Sequence, residues 1–407
     1  MLKRTLAKTI QEASQHFPVL LLSGPRQIGK TTLLEMCAED KRHYVTLDDF
    51  QARSLAQTDP ALFLQAHPAP VIIDEVQYAP ALLSAIKMLV DKEKVPGMFW
   101  LTGSQKFHLM RGVTESLAGR VAIIDMLGLS QAEIDGRSEK LPPFLPTSDW
   151  IQQAKRYSGN TKLLHDVYKQ IWLGAYPKLH QDPLMSREMF YHSYVQTYIQ
   201  RDVKDILNIT DQVTFMRFLR ATAVRTGQLL NYSDLARDVD IDHKTAKAWL
   251  SVLETAGLVY LLQPYHRNVN KRLLKTPKIY FLDTGLCAYL TQWPTAESLE
   301  MGPMNGAILE TYLFSEILKS YWHHGLEAPF YYYRDIDQQE VDLVIETGEA
   351  LYPVEFKKTA SPGKSACKNF HALKKLGKPI GEGAVVCFVE RDTLITQDVH
   401  AIPVGFI

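Results

Sequence analysis

The chain has 407 residues, 46% of them hydrophobic, and 45 basic side chains balance 45 acidic ones. That length suits two or three domains with packed cores. Zero net charge excludes a global electrostatic pull toward nucleic acid or membrane, so any such contact must come from a local patch. No apolar run approaches the roughly 18 residues of a membrane helix. The four cysteines (Cys37, Cys287, Cys367, Cys387) lack the paired spacing of a disulfide framework or a zinc site. The expected location is the cytoplasm.

In chain order, the N-terminal residues read as an amphipathic helix. Residues 18–22 (PVLLL) form a short apolar run suited to a buried parallel strand. The next residues, Gly24-Pro25-Arg26-Gln27-Ile28-Gly29-Lys30-Thr31, fit G-x-x-x-x-G-K-[ST], and a helix can open after them. Strand, glycine loop and helix N-terminus together place backbone N–H groups and the positive end of the helix dipole around phosphate oxygens. Gly24 to Thr32 are therefore the expected nucleotide-binding residues. Lys30 would reach the β- and γ-phosphates, and Thr31 would offer its hydroxyl to Mg²⁺.

A second strand is expected at 43–47, then a polar helix, then Val71-Ile72-Ile73-Asp74-Glu75. An apolar strand ending in Asp-Glu is the partner such a loop needs. Asp74 would hold Mg²⁺ and Glu75 would polarise the attacking water. A third strand ends at Thr102-Gly103-Ser104-Gln105, where Ser104 or Gln105 would contact the γ-phosphate or the water. Arg120 precedes the strand 121–125. It would neutralise transition-state charge, in its own subunit or a neighbour's, or else hold an ion pair. Strands at 18–22, 43–47, 70–74, 98–102 and 121–125 alternate with helical segments, the rhythm of a parallel sheet with nucleotide at the strand C-terminal ends.

The first unit, 1–130, is thus an ATPase core, followed over 131–210 by an aromatic-rich helical lid. A long helix is expected from Tyr191, with Arg201 a second-sensor candidate. Residues 211–300 contain a winged helix. From Asn231 to Val259 the pattern reads helix, tight turn, helix and strand, with Asp242 as an N-cap and Gly257 as the stop. The second helix would expose His243, Lys244, Thr245 and Lys247 to a DNA groove. Arg267, Lys271, Arg272, Lys275 and Lys278 would make a basic wing. Residues 213–280 hold eleven Lys/Arg against five Asp/Glu, but Asp238, Asp240 and Asp242 crowd the turn where phosphates would lie.

The last unit, 301–407, opens on a helix with Glu310 near its start. Strands follow at 330–334, 340–345 and 351–357, then a helix at 363–376 and a strand at 384–389. Period-two alternation puts Glu355 and Lys357 on one face, opposite Val354 and Phe356. Asp342 on one strand and Glu355-x-Lys357 on the next suit a Mg²⁺-dependent phosphodiesterase. Asp342, Glu355 and the Phe356 carbonyl would hold the metal, with Glu310 in support. Lys357 would orient or deprotonate the attacking water. Whether this centre cleaves is open in the sequence.

Three units in this order, with GPRQIGKTT at 24–32, VIIDEVQ at 71–77, LTGSQ at 101–105, SLAGR at 116–120 and EVDLVIE…LYPVEFK at 340–357, resemble a prokaryotic family of AAA-like P-loop ATPases with an uncharacterised C-terminal domain. The resemblance covers nearly the whole chain. It implies ATP binding and a PD-(D/E)xK-like C-terminal fold, and little about biological role. The expected fold is α/β: a P-loop NTPase parallel sheet with a helical lid, a winged-helix domain and a C-terminal PD-(D/E)xK-like α/β domain. The expected partners are ATP with Mg²⁺, DNA through the last two units, and a second copy of the chain. The alternative is a nucleotide-driven switch or scaffold for protein partners, with an inert nuclease fold.

Overall fold

A computed structural model of the chain describes residues 2–103, 116–138, 140–157, 162–199, 212–266 and 276–407. The first sheet has five parallel strands: β1 (Val19–Ser23), β2 (His43–Thr46), β3 (Val71–Asp74), β4 (Phe99–Gly103) and β5 (Val121–Asp125), in the order β2-β3-β4-β1-β5. All five match the sequence expectation to within one residue at each end. Every residue of β1 is buried. Leu20 and Leu22 face one core and Val19 and Leu21 the other, which is why the strand reads as a continuous apolar run. Between β2 and β3 the sequence suggests one helix and the structure has two, Phe50–Thr58 and Pro60–Ala66. Asp59 ends the first and caps the second through the Leu62 N–H, and Pro60 takes the first helical position, where no donor is needed.

The segment expected as a lid consists of short helices: Gln131–Ile134, Ser148–Tyr157, Leu164–Leu173, Pro177–Gln181 and Arg187–Tyr194. The helix expected from Tyr191 begins earlier, at Arg187, and widens to a π-helical turn over Val195–Ile199. Arg201 lies outside the described residues.

The middle unit runs helix Gln212–Val224, β6 (Gln228–Leu229), helix Tyr232–Val239, helix His243–Thr255, β7 (Val259–Leu262) and β8 (Lys278–Phe281). Its antiparallel sheet has the order β6-β8-β7. Asp242 caps the second of the paired helices, accepting from Lys244 N–H (2.8 Å) and Thr245 N–H (3.0 Å) as the sequence suggests.

The C-terminal unit opens on the long helix Asn305–Trp322. Its six-stranded sheet contains β9 (Phe330–Arg334), β10 (Glu340–Glu346), β11 (Leu351–Phe356), β12 (Gly383–Cys387), β13 (Thr393–Thr396) and β14 (Val399–Pro403), ordered β13-β14-β12-β11-β10-β9. β9, β10 and β11 are antiparallel, whereas β11, β12 and β14 are parallel. The helix expected at 363–376 is a tighter 3₁₀ segment, Lys364–Leu376.

One apolar core runs from Leu6 and Leu20 through Tyr191, Leu250 and Phe314 to Phe406, so the units are packed into one another. The helix Asn305–Trp322 is the central bolt. Glu316 accepts from the Gln131 N–H (2.7 Å), Lys319 donates to the Leu129 carbonyl (2.9 Å), and Tyr321 donates to the Phe144 carbonyl (2.9 Å). The N-terminal unit and the C-terminal unit are therefore both tied to the helix that carries Glu310. Among the described residues, no helix is long and apolar enough to cross a membrane.

Candidate functional site

The loop after β1 turns through Gly24 (φ +149°) and Gly29 (φ +89°) into the helix Lys30–Cys37. A Cβ on Gly24 would lie 2.2 Å from the Met126 carbonyl oxygen, whereas one on Gly29 would meet nothing within 4 Å. Gly24 thus permits a close backbone approach, and Gly29 borders open space at the helix start. That helix carries no side-chain N-cap, which leaves its N-terminus suited to an anion. The Lys30 ammonium lies inside the loop, donating to the carbonyls of Gly24 (2.9 Å) and Pro25 (2.7 Å). Ile28 is buried in the core beneath the loop, and Thr32 is exposed beside it. Gly24→Ala is expected to weaken binding of a fluorescent ATP analogue, because strain at such a position costs about 1–3 kcal/mol. Unchanged affinity in titration would contradict the close-approach reading.

Asp74, at the end of β3, is buried and faces the loop. It accepts from the hydroxyls of Thr31 (3.1 Å) and Tyr44 (3.0 Å) and from the Glu75 N–H (3.1 Å). Burial, then the neighbouring Glu75 carboxylate, raises its pKa above the usual aspartate range. The Thr31–Asp74 pair therefore presents hard oxygen donors beside the lysine, the set that fits Mg²⁺ with a nucleotide. Tyr44 was not singled out in the sequence. It sits on β2, the neighbour of β3, with Tyr44 opposite Ile72, and burial followed by Asp74 holds its hydroxyl protonated.

Glu75 turns away from the strand in a left-handed conformation (φ 57°, ψ 42°). Its carboxylate accepts from the Gln77 amide and lies 4.0 Å from the Arg26 guanidinium. The structure thus brings Arg26, Lys30, Thr31, Asp74 and Glu75 to one edge of the sheet. Ser104 and Gln105 lie outside the described residues.

Arg120 is placed elsewhere. It lies at the start of β5, where its carbonyl accepts from the Val19 N–H (3.3 Å), about 16 Å along the strand from the edge with Ser23 and Asp125. Its guanidinium makes a two-pronged pair with Asp91 (2.5 and 3.0 Å) near solvent. Within its own subunit it holds an ion pair and does not reach the loop. Arg120→Ala is expected to leave ATP turnover unchanged in a phosphate-release assay, and a loss would mean that it serves a neighbouring copy.

A second cluster forms where the middle unit meets the C-terminal unit. Glu310 comes from the long helix, Glu340 and Asp342 from β10, Glu355 from β11, and Lys357 from just beyond it. The Phe356 N–H donates to Asp342 Oδ2 (3.0 Å), and Lys357 Nζ donates to Glu355 Oε1 (2.7 Å) and lies 4.0 Å from Asp342 Oδ2. The expected Asp and Glu-x-Lys residues are therefore assembled.

Lys278 was read as part of an exposed basic wing, and the structure corrects this. It is 3% exposed at the start of β8, where its ammonium lies 3.1 Å from Glu310, 2.5 Å from Glu340 and 3.7 Å from Asp342. Glu310 also accepts from the Tyr280 hydroxyl (2.7 Å). As they stand, Glu310, Asp342 and Glu355 are interleaved with two ammonium groups. Among the described residues, no three His, Cys, Asp or Glu side chains are grouped to hold one ion. The metal role expected for these three carboxylates is thus taken, in this arrangement, by lysine.

Burial followed by Asp342 pushes Glu310 up to about 7, against Lys278 and Tyr280. Burial followed by Asp342 pushes Glu355 up to about 8, against Lys357. For Lys278, burial pulls the pKa down, but Tyr280, Glu310, Asp342 and Glu340 outweigh it and the net shift is upward. The lysine is a permanent cation.

On the middle unit, His243, Lys244 and Lys247 are exposed along one helix, as expected, whereas Thr245 is half-buried and its hydroxyl donates to the Asp242 carboxylate. The Asp242 that caps it is equally exposed, and Asp238 pairs with Arg225. Arg267, Lys271, Arg272 and Lys275 lie outside the described residues.

Residues 16–135 match the family model described as an AAA domain. Two domains of unknown function match further on, DUF8612 over 164–297 and DUF4143 over 305–407. Uncharacterised proteins of Mycobacterium bovis and Mycobacterium tuberculosis are each 28% identical over 367 residues, covering 89% of this chain and 75% of theirs. Similar solved structures include a Walker-type ATPase of Pyrococcus abyssi, with a TM-score of 0.41, 14% identity, and coverage of 70% of this chain and 94% of that one. AMPPCP-bound DnaA from Aquifex aeolicus gives a TM-score of 0.30 at 12% identity, with coverage of 61% and 85%. The AAA match and the assembled loop together make residues 16–135 an AAA domain of the P-loop, ATP-binding kind. The chain carries, after that domain, a match to a domain of unknown function over 305–407.

Proposed function

We propose that the chain is a Mg²⁺-dependent ATPase whose nucleotide state is passed, through the lid and a winged-helix unit, to a nuclease-like domain that acts on or docks to nucleic acid. The observation that carries the reading is the convergence of Lys30, Thr31, Asp74 and Glu75 on one sheet edge. In this reading the loop N–H groups and Lys30 hold the β- and γ-phosphates, and Thr31 and Asp74 hold Mg²⁺. Bound there, Mg²⁺ would supply positive charge to offset the negative charge developing on the phosphate oxygens. Glu75 orients the attacking water and takes its proton.

Helix, strand, two helices and hairpin in the middle unit support the winged-helix reading, and the exposed His243, Lys244 and Lys247 support DNA contact. Helix, hairpin, strand, helix and parallel strand with Asp342, Glu355 and Lys357 on one side support the nuclease-like reading of the last unit. The test is phosphate release with and without DNA for the wild type and Lys30→Ala, alongside cleavage of single- and double-stranded DNA and RNA. Equal turnover in the two proteins would sink the ATPase claim. Cleavage surviving Asp342→Ala and Lys357→Ala would belong to a contaminant.

The second reading, a nucleotide-driven switch with an inert nuclease fold, is favoured by one observation: Lys278 sits among the carboxylates that would hold metal. It is supported if DNA leaves turnover unchanged and no nucleic acid is cut.

A further inference from the structure

Arg4 is a buried cation that the nucleotide chemistry leaves unused. It lies just before the first helix, Leu6–His16, and is 6% exposed. A buried guanidinium needs a full set of acceptors, and those of Arg4 lie around the phosphate loop. Nη1 donates to the Ile28 carbonyl (3.1 Å), inside the loop itself. Nη2 donates to the carbonyls of Leu127 (2.7 Å) and Gly128 (3.3 Å). These follow β5, next to the Met126 carbonyl that crowds Gly24. Nε lies 3.1 Å from Glu133, which balances the charge. One planar fork thus ties the floor of the loop to the wall beside it.

The bond to Ile28 fixes more than one atom. The Ile28–Gly29 peptide is trans, so its carbonyl and its N–H point in opposite directions. With the carbonyl drawn to Arg4, the Gly29 N–H is aimed away from the core, on the side where Gly29 borders open space. That N–H immediately precedes Lys30 and belongs to the group that would surround a phosphate. A peptide unit ending in glycine rotates at little cost, and the flipped plane would present a carbonyl oxygen to an anion.

Lys30 cannot hold the loop in the same way once nucleotide is present. Its ammonium now donates to the Gly24 and Pro25 carbonyls, and the same ammonium is the one the phosphates need. Arg4 acts from the buried side and has no such conflict.

We propose that Arg4 is a positioning residue for the phosphate loop, holding the Ile28–Gly29 peptide plane so that the Gly29 N–H faces the nucleotide phosphates. The inference rests on the ATP-binding reading and names the residue, outside the loop, that presets it. An N–H fixed before binding serves ground state and transition state alike, so its loss is read in KM and spares kcat.

The test uses the full-length chain with ATP and Mg²⁺, as wild type, Arg4→Lys, Lys30→Ala, and Arg4→Met combined with Glu133→Gln. Lysine keeps the charge opposite Glu133 but, as a point donor, cannot serve Ile28 and Leu127 together. The double variant removes both buried charges at once and so avoids the stranded carboxylate that a single neutral replacement would leave. It decides the matter if Arg4→Lys does not fold. Binding of a fluorescent ATP analogue, steady-state phosphate release and thermal melts are measured on each protein. Both Arg4 proteins should bind the analogue about tenfold more weakly than the wild type. Their KM for ATP should rise by a similar factor, with kcat within about twofold.

A tie that merely closes the fold would lower the melting temperature and leave KM alone. Arg4 proteins that are folded at the assay temperature and match the wild type in KM would overturn the proposal, as would a fall in kcat at unchanged KM. Wild type binding no better than Lys30→Ala would remove the ATP reading, and this inference with it. Weak binding by Lys30→Ala beside full binding by the Arg4 proteins would remove this inference alone.

Discussion

Glu75→Gln protein is expected to bind ATP as the wild type does and to turn it over about 10²–10⁴-fold more slowly. The amide has the shape of the carboxylate and keeps its hydrogen-bonding reach, but it cannot take a proton from the attacking water. Two features make Glu75 the residue to change. It follows Asp74 at the edge where the phosphate loop lies, and it holds a left-handed backbone conformation that a non-glycine residue seldom adopts. That turn swings its carboxylate to Arg26 and Gln77, on the side of the loop. Lys30→Ala should differ in kind, losing ATP binding itself, since the ammonium is the cation inside the loop. Nucleotide titration and steady-state phosphate release separate the two effects. Glu75→Gln with wild-type turnover would remove the general-base role.

Glu133→Gln is expected to destabilise the protein at neutral pH by about 3–5 kcal/mol, the usual cost of removing one partner from a buried pair. Glu133 is fully buried where the N-terminal segment, the lid and the long C-terminal helix meet. It lies 3.1 Å from Arg4 and 3.3 Å from His323, and it accepts from the N–H groups of Thr5 (2.8 Å) and Ser130 (3.0 Å). Burial pushes its carboxyl up, but His323, Arg4 and the Ser130 N–H outweigh this and hold it well below the usual glutamate range. Burial holds His323 below the ordinary imidazole range, so at neutral pH Arg4 is the balancing charge.

Both folded pKa values are depressed, so both groups stabilise the fold at higher pH and lose that contribution in acid. As pH falls below 6.5, the ordinary value for histidine, the unfolded chain binds a proton that buried His323 resists. Below 4.5, the ordinary value for glutamate, the same holds for Glu133. Thermal melts from pH 8 to pH 4 should show the wild type losing stability in two stages. Glu133→Gln should start lower and lose the second stage. A variant that melts with the wild type at pH 7 would show that the carboxylate contributes nothing net.

The centre of the first sheet was legible because a parallel strand covered on both faces is apolar along its length, as β1, β3 and β4 are, whereas the edge strands β2 and β5 are partly exposed. The paired helices of the middle unit were legible from a local cause, the Asp242 cap. The break at Asp59-Pro60 was also present in the sequence, since Asp before Pro is a cap followed by a first helical residue. Arg120 had a signal too. It precedes its strand, and in a parallel sheet the residues that precede strands lie on the edge away from the ligand.

Lys278 had no such signal. A lysine opening a strand beside other basic residues reads as solvent-facing, and its carboxylate partners lie 32 residues or more further along the chain. Only the packing of the middle sheet against the C-terminal sheet reveals that the side chain is enclosed. The same contact explains why the carboxylates were correctly gathered from the sequence while their present cation was not.

The turn that ends the paired helices touches the phosphate loop. A Cβ on Gly257 would lie 3.1 Å from the Pro25 ring. Two residues on, the chain enters β7, whose last residue, Leu262, lies opposite Lys278. The stretch from Gly257 to Leu262 therefore spans about 17 Å, with one end on the loop and the other beside the carboxylate cluster. If the proposed passage of nucleotide state runs along this strand, the coupling is reciprocal: whatever factor ATP applied to the affinity of a ligand at the distant end, that ligand would apply to ATP. An affinity measured at either end would then have a definite value only with the occupancy of the other specified.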